Sequence, residues 1–90
     1  MGNSLHADSK EQLRRAQQLL EGSDRAAPEP AKAVALLEGE AKKGNKEAMW
    51  MLAACCEYGL GTEKNTARAE HLYSAATHMA KPELAKMHQQ

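Results

Sequence analysis

The feature that most constrains the fold of this chain is a self-similarity at a fixed spacing of 36 residues. Small residues fall opposite small residues, bulky residues opposite bulky ones and Glu opposite Glu in six pairs: Ala33/Ala69, Leu36/Leu72, Leu37/Tyr73, Ala41/Thr77, Gly44/Ala80 and Glu47/Glu83. A repeat of this length is typical of stacked helical hairpins, because one hairpin cannot bury its apolar stripe alone. The sequence therefore predicts an all-α protein, a short right-handed α-solenoid of antiparallel helical hairpins with about two repeats and four to five helices.

The composition agrees with helices and disfavours a β-sheet. Val34 is the only Val, Ile is absent, and the other β-branched residues are a few Thr, although strands are rich in such residues. Ala, Leu, Glu, Lys, Gln and Met dominate, and these are strong helix formers. A chain of 90 residues forms one small domain, which we divide into a flexible N-terminal tail at residues 1–8 and a helical repeat domain at residues 9–88.

Capping residues, prolines and glycines predict where the helices begin and end. Helix starts are expected at Ser9, Pro30, Asn45, Asn65 or Thr66, and Pro82. Gly22, Gly44 and Gly59 are expected to end the first three helices, because glycine accepts the left-handed conformation of a helix terminus. The apolar stripes between these signals predict the core: Leu13, Ala16, Leu19, Leu20, Ala33, Leu36, Leu37, Ala41, Ala48, Leu52, Cys55, Cys56, Ala69, Leu72, Tyr73 and Ala76.

The charge balance argues against functions that depend on long-range electrostatic attraction. Twelve basic and twelve acidic side chains give a formal net charge of 0, which does not attract nucleic acid. Trp50, Tyr58 and Tyr73 are the only aromatic residues, and base-stacking surfaces usually have more. The sequence shows no signal peptide and no apolar run of membrane-spanning length, and its two cysteines are expected to be reduced thiols. We therefore expect a cytoplasmic protein that does not bind nucleic acid.

The N-terminus leaves one membrane-associated alternative open. Gly2, Asn3 and Ser4 permit N-myristoylation, although the motif prefers Ser or Thr at the position occupied by His6. One acyl chain gives only weak, reversible attachment to a membrane. The alternative function is a small, N-myristoylated helical protein that presents a partner at a membrane, and membrane contact is expected only if Gly2 is acylated.

The segment EAMWMLAACCEYGLGTEKNTARAEHLYSAA, from Glu47 to Ala76, resembles a Sel1-like repeat, a relative of the tetratricopeptide repeat. The positions that match are Ala48, Trp50, Leu52, Gly59, Gly61, Ala69, Leu72, Tyr73 and Ala76. Lys32–Ala48 looks like the second half of a preceding unit followed by the start of the next. The departures are Cys56 in place of the usual Tyr, Thr62 in place of Val, Ala53 and Ala80 in place of Gly, and a first turn with Pro28 and Pro30 instead of Gly-x-Gly.

The resemblance implies an adaptor that binds a partner peptide or protein through a groove lined by the first helix of each hairpin. It implies no catalysis and no cofactor. On the third helix, Met49, Trp50, Ala53 and Glu57 lie away from the apolar stripe, and an exposed Trp and Met are good anchors for a partner. These four residues are the expected partner-binding site. The alternative for Trp50 is core packing, since it matches the usual aromatic of the repeat.

Two motifs that suggest chemistry have simpler structural interpretations. The Gly59–Gly61 segment lacks a preceding strand and a following Lys-Ser/Thr pair, so it predicts a helix end and a turn rather than a phosphate loop. Cys55 and Cys56 are adjacent on a helix and point about 100° apart, which disfavours a shared metal ion. His71 and His78 do not have the spacing of zinc ligands. We expect no metal site and no catalytic residues.

The small number of repeats predicts that another surface covers one end of the stack. About three repeats are normally needed for a stable solenoid, and this chain has about two. We therefore expect weak homodimerisation, or docking of a partner, through the last hairpin around Leu72, Tyr73, Leu84 and Met87.

Overall fold

The computed structural model describes the backbone of residues 2–89 and the side chains of residues 9–78. It contains four helices: α1 (Gly2–Glu21), α2 (Pro30–Lys42), α3 (Lys46–Tyr58) and α4 (Thr66–Gln89). Each helix packs against the next one along the chain, as an antiparallel pair. The prediction of an all-α fold with sequentially packed helices is confirmed.

Two asparagines begin helices as the sequence predicts. The side-chain oxygen of Asn45 accepts hydrogen bonds from the backbone N–H groups of Glu47 and Ala48, at 3.1 and 3.2 Å. The side-chain oxygen of Asn65 accepts one from the N–H of Arg68, at 2.9 Å. Each asparagine thus satisfies N–H groups in the first turn that have no partner within the helix. Of the two residues considered for α4, Asn65 is the cap.

Two of the predicted helix boundaries are wrong. α1 begins at Gly2, so Ser9 lies inside the helix, where its hydroxyl lies beside the carboxylate of Glu40 on α2. α4 continues through Pro82 to Gln89, so the predicted fifth segment belongs to α4, whose sequence around Pro82 is rich in helix formers. The flexibility predicted for residues 1–8 stays a prediction, because their side chains lie outside the described residues.

The core is built largely from small side chains. The main cluster lies where α1, α2 and α3 meet, and its buried members are Ala16, Ala33, Val34, Leu37, Ala48, Leu52 and Cys55. A smaller cluster of Ala53, Cys56 and Ala69 joins α3 to α4. Alanine and cysteine let neighbouring helix backbones approach closely, and dense packing then excludes water. The predicted apolar stripes therefore form the core.

The first helix of each hairpin ends in the same way. Gly22 follows α1 with φ +74° and Gly59 follows α3 with φ +70°, the left-handed region that favours glycine. The Gly22 N–H donates to the carbonyl of Gln18, and the Gly59 N–H donates to the carbonyl of Cys55. The donors lie 37 residues apart, and so do the acceptors. The two glycines therefore occupy corresponding positions at the ends of α1 and α3.

The second helix of each hairpin is tied to the first by a corresponding backbone hydrogen bond. The Glu29 N–H donates to the carbonyl of Leu19 at 2.7 Å, and the Asn65 N–H donates to the carbonyl of Cys56 at 2.8 Å. Here the donors lie 36 residues apart and the acceptors 37. The spacing changes because the first turn, residues 22–29, is one residue longer than the second, residues 59–65.

Two contacts join the second hairpin to α2. The guanidinium of Arg68 donates to both carboxylate oxygens of Glu38, at 2.8 and 2.7 Å. Gly61, in the turn before α4, lies so close to Pro30 that a Cβ atom there would overlap the Pro30 carbonyl. The ion pair and the turn thus hold α2 against the second hairpin from two sides.

Candidate partner-binding face on α3

The large apolar side chains that are exposed within residues 9–78 lie together on α3 and just after it. Trp50 is 45% exposed, Tyr58 is 69% exposed and Leu60 is 45% exposed. Trp and Tyr are usually well covered in folded proteins, and contiguous exposed apolar side chains often mark a binding surface. Because the chain has only three aromatic residues, two exposed aromatics on one helix make a distinct feature.

The two exposed aromatic side chains share one row along the helix with the half-buried Lys46 and Ala54. Lys46, Trp50, Ala54 and Tyr58 recur every fourth residue, so they lie one above another on the same side of α3. The ammonium nitrogen of Lys46 lies 5.7 Å from the centroid of the Trp50 ring, which is a cation–π contact. We call this row, together with Leu60, the α3 face. It offers an aromatic surface with a positive charge at one end.

The structure separates the four predicted site residues. Trp50 is exposed, so the alternative of core packing is not observed, and Met49 beside it is half-buried. Ala53 is completely buried against α4, and an Oε1 oxygen of Glu57 accepts a hydrogen bond from the hydroxyl of Tyr73 at 2.9 Å. Ala53 and Glu57 therefore face α4. Trp50 instead lies in a row with Lys46, Ala54 and Tyr58, which were not among the predicted site residues.

The hydrogen bond between Tyr73 and Glu57 stabilises the contact between α4 and α3. Burial raises the pKa of Tyr73, and the hydrogen bond and charge of Glu57 raise it further. The phenol therefore keeps its proton and remains a donor at neutral pH. Because Glu57 faces α4, the row of Trp50 lies on another side of α3, where Trp50 and Tyr58 are exposed.

Sequence reasoning missed the importance of Glu40, whose side chain is buried with a residue exposure of 3%. Its carboxylate accepts hydrogen bonds from Lys43 Nζ at 3.1 Å and from Asn45 Nδ2 at 3.5 Å. Burial alone would raise the pKa of Glu40, but the hydrogen bonds from Lys43 and Asn45, together with the nearby hydroxyl of Ser9, outweigh it and lower the pKa. The Glu-x-x-Lys spacing was the only local signal of this role.

The two adjacent cysteines form no bond with each other. Both thiols are buried, and burial, followed by the neighbouring Cys56, raises the pKa of Cys55. A raised pKa disfavours the thiolate, which is the reactive form. In the part of the chain whose side chains are described, no group of three or more His, Cys, Asp or Glu residues is placed to hold a metal ion.

Two further predictions lie outside the described side chains. Gly2 is the first residue of α1, and acylation there stays a prediction. Over the described residues, no helix has both the length and the apolar character needed to span a membrane.

At the predicted dimer surface, Leu72 and Tyr73 are half-buried against α3, whereas Leu84 and Met87 lie outside the described side chains.

Comparison of this chain with models of protein families, with curated proteins and with solved structures found no match. The Sel1-like assignment therefore stays a prediction that rests on the matching residues between Glu47 and Ala76. The function of this chain has to be inferred from its own surfaces.

Proposed function

We propose that this protein is a non-catalytic interaction module, a pair of stacked Sel1-like hairpins that binds a segment of a partner protein through the α3 face. The observation that carries the proposal is the joint exposure of Trp50, Tyr58 and Leu60. Trp and Tyr dominate the energetics of protein interfaces, because they bury a large area while losing few rotatable bonds.

Matched burial supports the stacked-hairpin part of the proposal. Ala16 and Ala53, 37 residues apart, are both completely buried. Ala33 and Ala69, 36 residues apart, are also buried, with exposures of 0% and 2%. With the turn hydrogen bonds, these pairs favour two stacked hairpins in which α1 and α3 are equivalent first helices, the arrangement that the sequence predicts for a short right-handed solenoid. A groove lined by first helices would then include the α3 face.

The chemistry of the α3 face favours a partner segment that combines an apolar side chain with a carboxylate. Trp50 and Leu60 supply apolar area, and Lys46 supplies a positive charge beside the indole ring. A partner carboxylate beside Lys46 would gain electrostatic attraction while an apolar neighbour covers the exposed part of Trp50. An adaptor of this kind needs no reactive group of its own.

The proposal is tested by comparing what two double variants capture. Immobilised wild type, Trp50→Ala/Tyr58→Ala and the control Glu70→Ala/His71→Ala, which alters exposed residues on α4, are exposed to the same labelled extract. We expect proteins that wild type and the control retain and that the aromatic variant retains about tenfold less, because truncated interface aromatics typically cost more than 1 kcal/mol each. Circular dichroism checks that all three are folded.

Purified candidates are then titrated against the wild-type chain while the emission of Trp50, its single Trp, is recorded. Burial of the indole ring is expected to move the emission to shorter wavelength. The proposal fails if no protein distinguishes the aromatic variant from the control, or if the candidates bind without changing the Trp50 emission.

The sequence Gly2-Asn3-Ser4 favours a second candidate function, in which an acylated chain presents its partner at a membrane. The test is intact mass after co-expression with an N-myristoyltransferase, with Gly2→Ala as the control. A gain of one myristoyl group in the wild type alone supports this candidate, and an unchanged mass refutes it.

A further inference from the structure

A second concave surface lies between α1 and α2, apart from the α3 face. This groove has a volume of about 420 Å³ and is lined by Arg15, Leu19, Lys32, Ala35 and Leu36. Leu19, Ala35 and Leu36 form an apolar floor, while Arg15 on α1 and Lys32 on α2 place a positive charge on each helix. Among the described residues, its lining belongs to the first hairpin alone.

The contact between the two hairpins shows what such a surface accepts. On the second hairpin, Arg68 binds Glu38 of α2 through two hydrogen bonds, and Leu72 packs against the core that includes α2. The 36-residue spacing relates Arg68 to Lys32 and Leu72 to Leu36. Lys32 and Leu36 both line the groove. The groove on the first hairpin therefore corresponds to the surface of the second hairpin on which α2 packs.

On the first hairpin, α1 carries charged residues on this side. At the corresponding positions of the second hairpin, α3 carries apolar residues that pack in the core. With the 37-residue spacing, Met51 and Leu52 of α3, which pack in the core, correspond to Arg14 and Arg15 of α1, which are exposed. A whole apolar hairpin docked in the groove would leave Arg15, which lines it, poorly solvated and unpaired. A single helix that carries acidic residues would instead pair with Arg15.

We propose that this groove is a docking site for an acidic amphipathic helix of a partner protein. The helix places apolar side chains on Leu19 and Leu36 and directs carboxylates to Arg15 and Lys32. Lys32 forms an ion pair with Glu29 in which both side chains are largely exposed. Because exposed ion pairs contribute little stability, Lys32 can exchange Glu29 for a carboxylate of the docked helix.

The helix α2 itself supplies the expected spacing of the docked side chains. On α2, Val34 and Leu37 are buried in the core and Glu38 reaches Arg68. The docked helix is therefore expected to carry two apolar residues three positions apart, with an acidic residue directly after the second. This docking site shares no residue with the α3 face, but it rests on the equivalence of the two hairpins that is part of the proposed function.

A second copy of this chain fits the groove less well than an acidic partner. If copies stacked head to tail, α4 of one copy would enter the groove of the next. In α4 the positions equivalent to Val34 and Glu38 are Glu70 and Ser74, both exposed. The apolar residue is replaced by a charge and the carboxylate is missing, so the charge complementarity with Lys32 is lost.

The test uses a fluorescein-labelled helical peptide of about 18 residues, long enough to populate a helix, that carries the Val-x-x-Leu-Glu spacing on a background of Ala, Glu and Gln. Fluorescence anisotropy is recorded with the full chain. We expect saturable binding by wild type and at least about tenfold weaker binding by Lys32→Glu, a loss of about 1.4 kcal/mol. A peptide with Lys in place of its central Glu is expected to regain affinity for Lys32→Glu.

Matched variants test whether the peptide binds in this groove rather than elsewhere on the protein. Ala35→Glu places a charge in the groove and is expected to abolish binding, whereas Ala67→Glu, on an exposed position of α4, and Trp50→Ala are expected to leave it unchanged. The proposal is overturned if wild type shows no saturation up to about 1 mM peptide, or if Ala67→Glu or Trp50→Ala weakens binding as much as Ala35→Glu. Self-association of the chain that Lys32→Glu abolishes would assign the groove to a second copy and also overturn it.

Discussion

At the scale of single residues, Glu40 links the core to the proposed binding face. Its carboxylate accepts a hydrogen bond from the side chain of Asn45, and Asn45 in turn caps the first turn of α3. Glu40 is thus connected, through the Asn45 cap, to the helix that carries Trp50. A buried charge is tolerated here because its hydrogen bonds compensate for the loss of water.

We predict that Glu40→Ala lowers the free energy of unfolding by about 1–3 kcal/mol, because the amide of Asn45 loses its partner and a void replaces the carboxylate. Glu63→Ala, in the exposed turn before α4, is the control and is expected to stay within about 0.5 kcal/mol of wild type. Urea unfolding followed by circular dichroism measures both. An equal loss in the two variants would contradict the role of Glu40.

Glu38 makes part of the stability dependent on pH. The hydrogen bond from Arg68 is the main cause that lowers the pKa of Glu38 below its ordinary value of 4.5, against an opposing effect of burial. A carboxyl whose pKa is lower in the folded state stabilises the fold above its unfolded pKa, and this contribution is lost as the pH falls through the folded pKa.

We therefore predict that Glu38→Gln is less stable than wild type at pH 7, by about 0.5–1 kcal/mol for a partly exposed pair. The difference is expected to shrink as the pH falls below 4.5, because wild type then loses the charge of Glu38 while the variant has none to lose. Unfolding free energies measured across this range provide the test. Curves that stay parallel down to the lowest pH would contradict it.

Local residue roles could be predicted from the sequence, and long-range ones could not. Asn45 and Asn65 act on N–H groups two or three residues away, so their capping roles are visible in the sequence. Glu38 and Arg68 lie 30 residues apart, and only the packing of α2 and α4 against α3 brings them together. Glu40 appears in the sequence as an ordinary helix charge, because its burial depends on three elements.

At the scale of helices and turns, two glycines have opposite roles. Gly61 has φ +73°, and a Cβ atom there would overlap the carbonyl of Pro30, so this turn needs glycine in order to rest on the start of α2. Gly39 lies within α2, and a Cβ atom there would meet no other atom within 4 Å. Glycine at that position therefore only weakens the helix.

The same chemical change is expected to have opposite effects at these two positions. Gly61→Ala should destabilise the protein by about 1–3 kcal/mol through backbone strain and overlap with Pro30. Gly39→Ala should stabilise it by up to about 1 kcal/mol, the difference in helix propensity. Thermal unfolding of both variants is the measurement, and a shift of the midpoint in the same direction would contradict the packing of the turn on α2.

The helix boundaries show how far local signals predict elements. Pro30, Asn45 and Gly59 act at the ends of α2 and α3 as predicted, because caps and terminators work through nearby backbone groups. Ser9 also resembles a cap, but its hydroxyl lies beside Glu40 of another helix. The direction of a hydroxyl depends on the tertiary fold, so this ambiguity could not be resolved from the sequence.

At the scale of the whole molecule, the sequence predicted one half of the proposed internal repeat. A spacing of 36 residues pairs α2 with α4, whereas pairing α1 with α3 needs a spacing of 37, because the first turn has one more residue. The match between the first helices is also masked by chemistry, since Arg15 corresponds to Leu52 and Leu13 to Trp50. Of the four residues predicted to bind a partner, Ala53 and Glu57 belong to the side of α3 that faces α4.

The predicted weak homodimer through the last hairpin remains to be tested. Sedimentation velocity over a range of concentrations is expected to show a reversible increase in mass, and Leu84→Glu, at a residue that the sequence predicts for this surface, is expected to reduce it. Lys32→Glu, in the groove of the first hairpin, should leave the association unchanged. A monomer at every concentration would refute this prediction.

The central claim is that the two hairpins are equivalent. The proposed groove follows from this equivalence, and so does the placement of the α3 face on a first helix of a hairpin. Amide hydrogen exchange of Glu29 and Asn65, measured by NMR, tests it most directly, because each N–H donates to the helix before its turn. Both amides are predicted to exchange far more slowly than in an unfolded chain. Exchange of either amide at the unfolded-chain rate would contradict the claim.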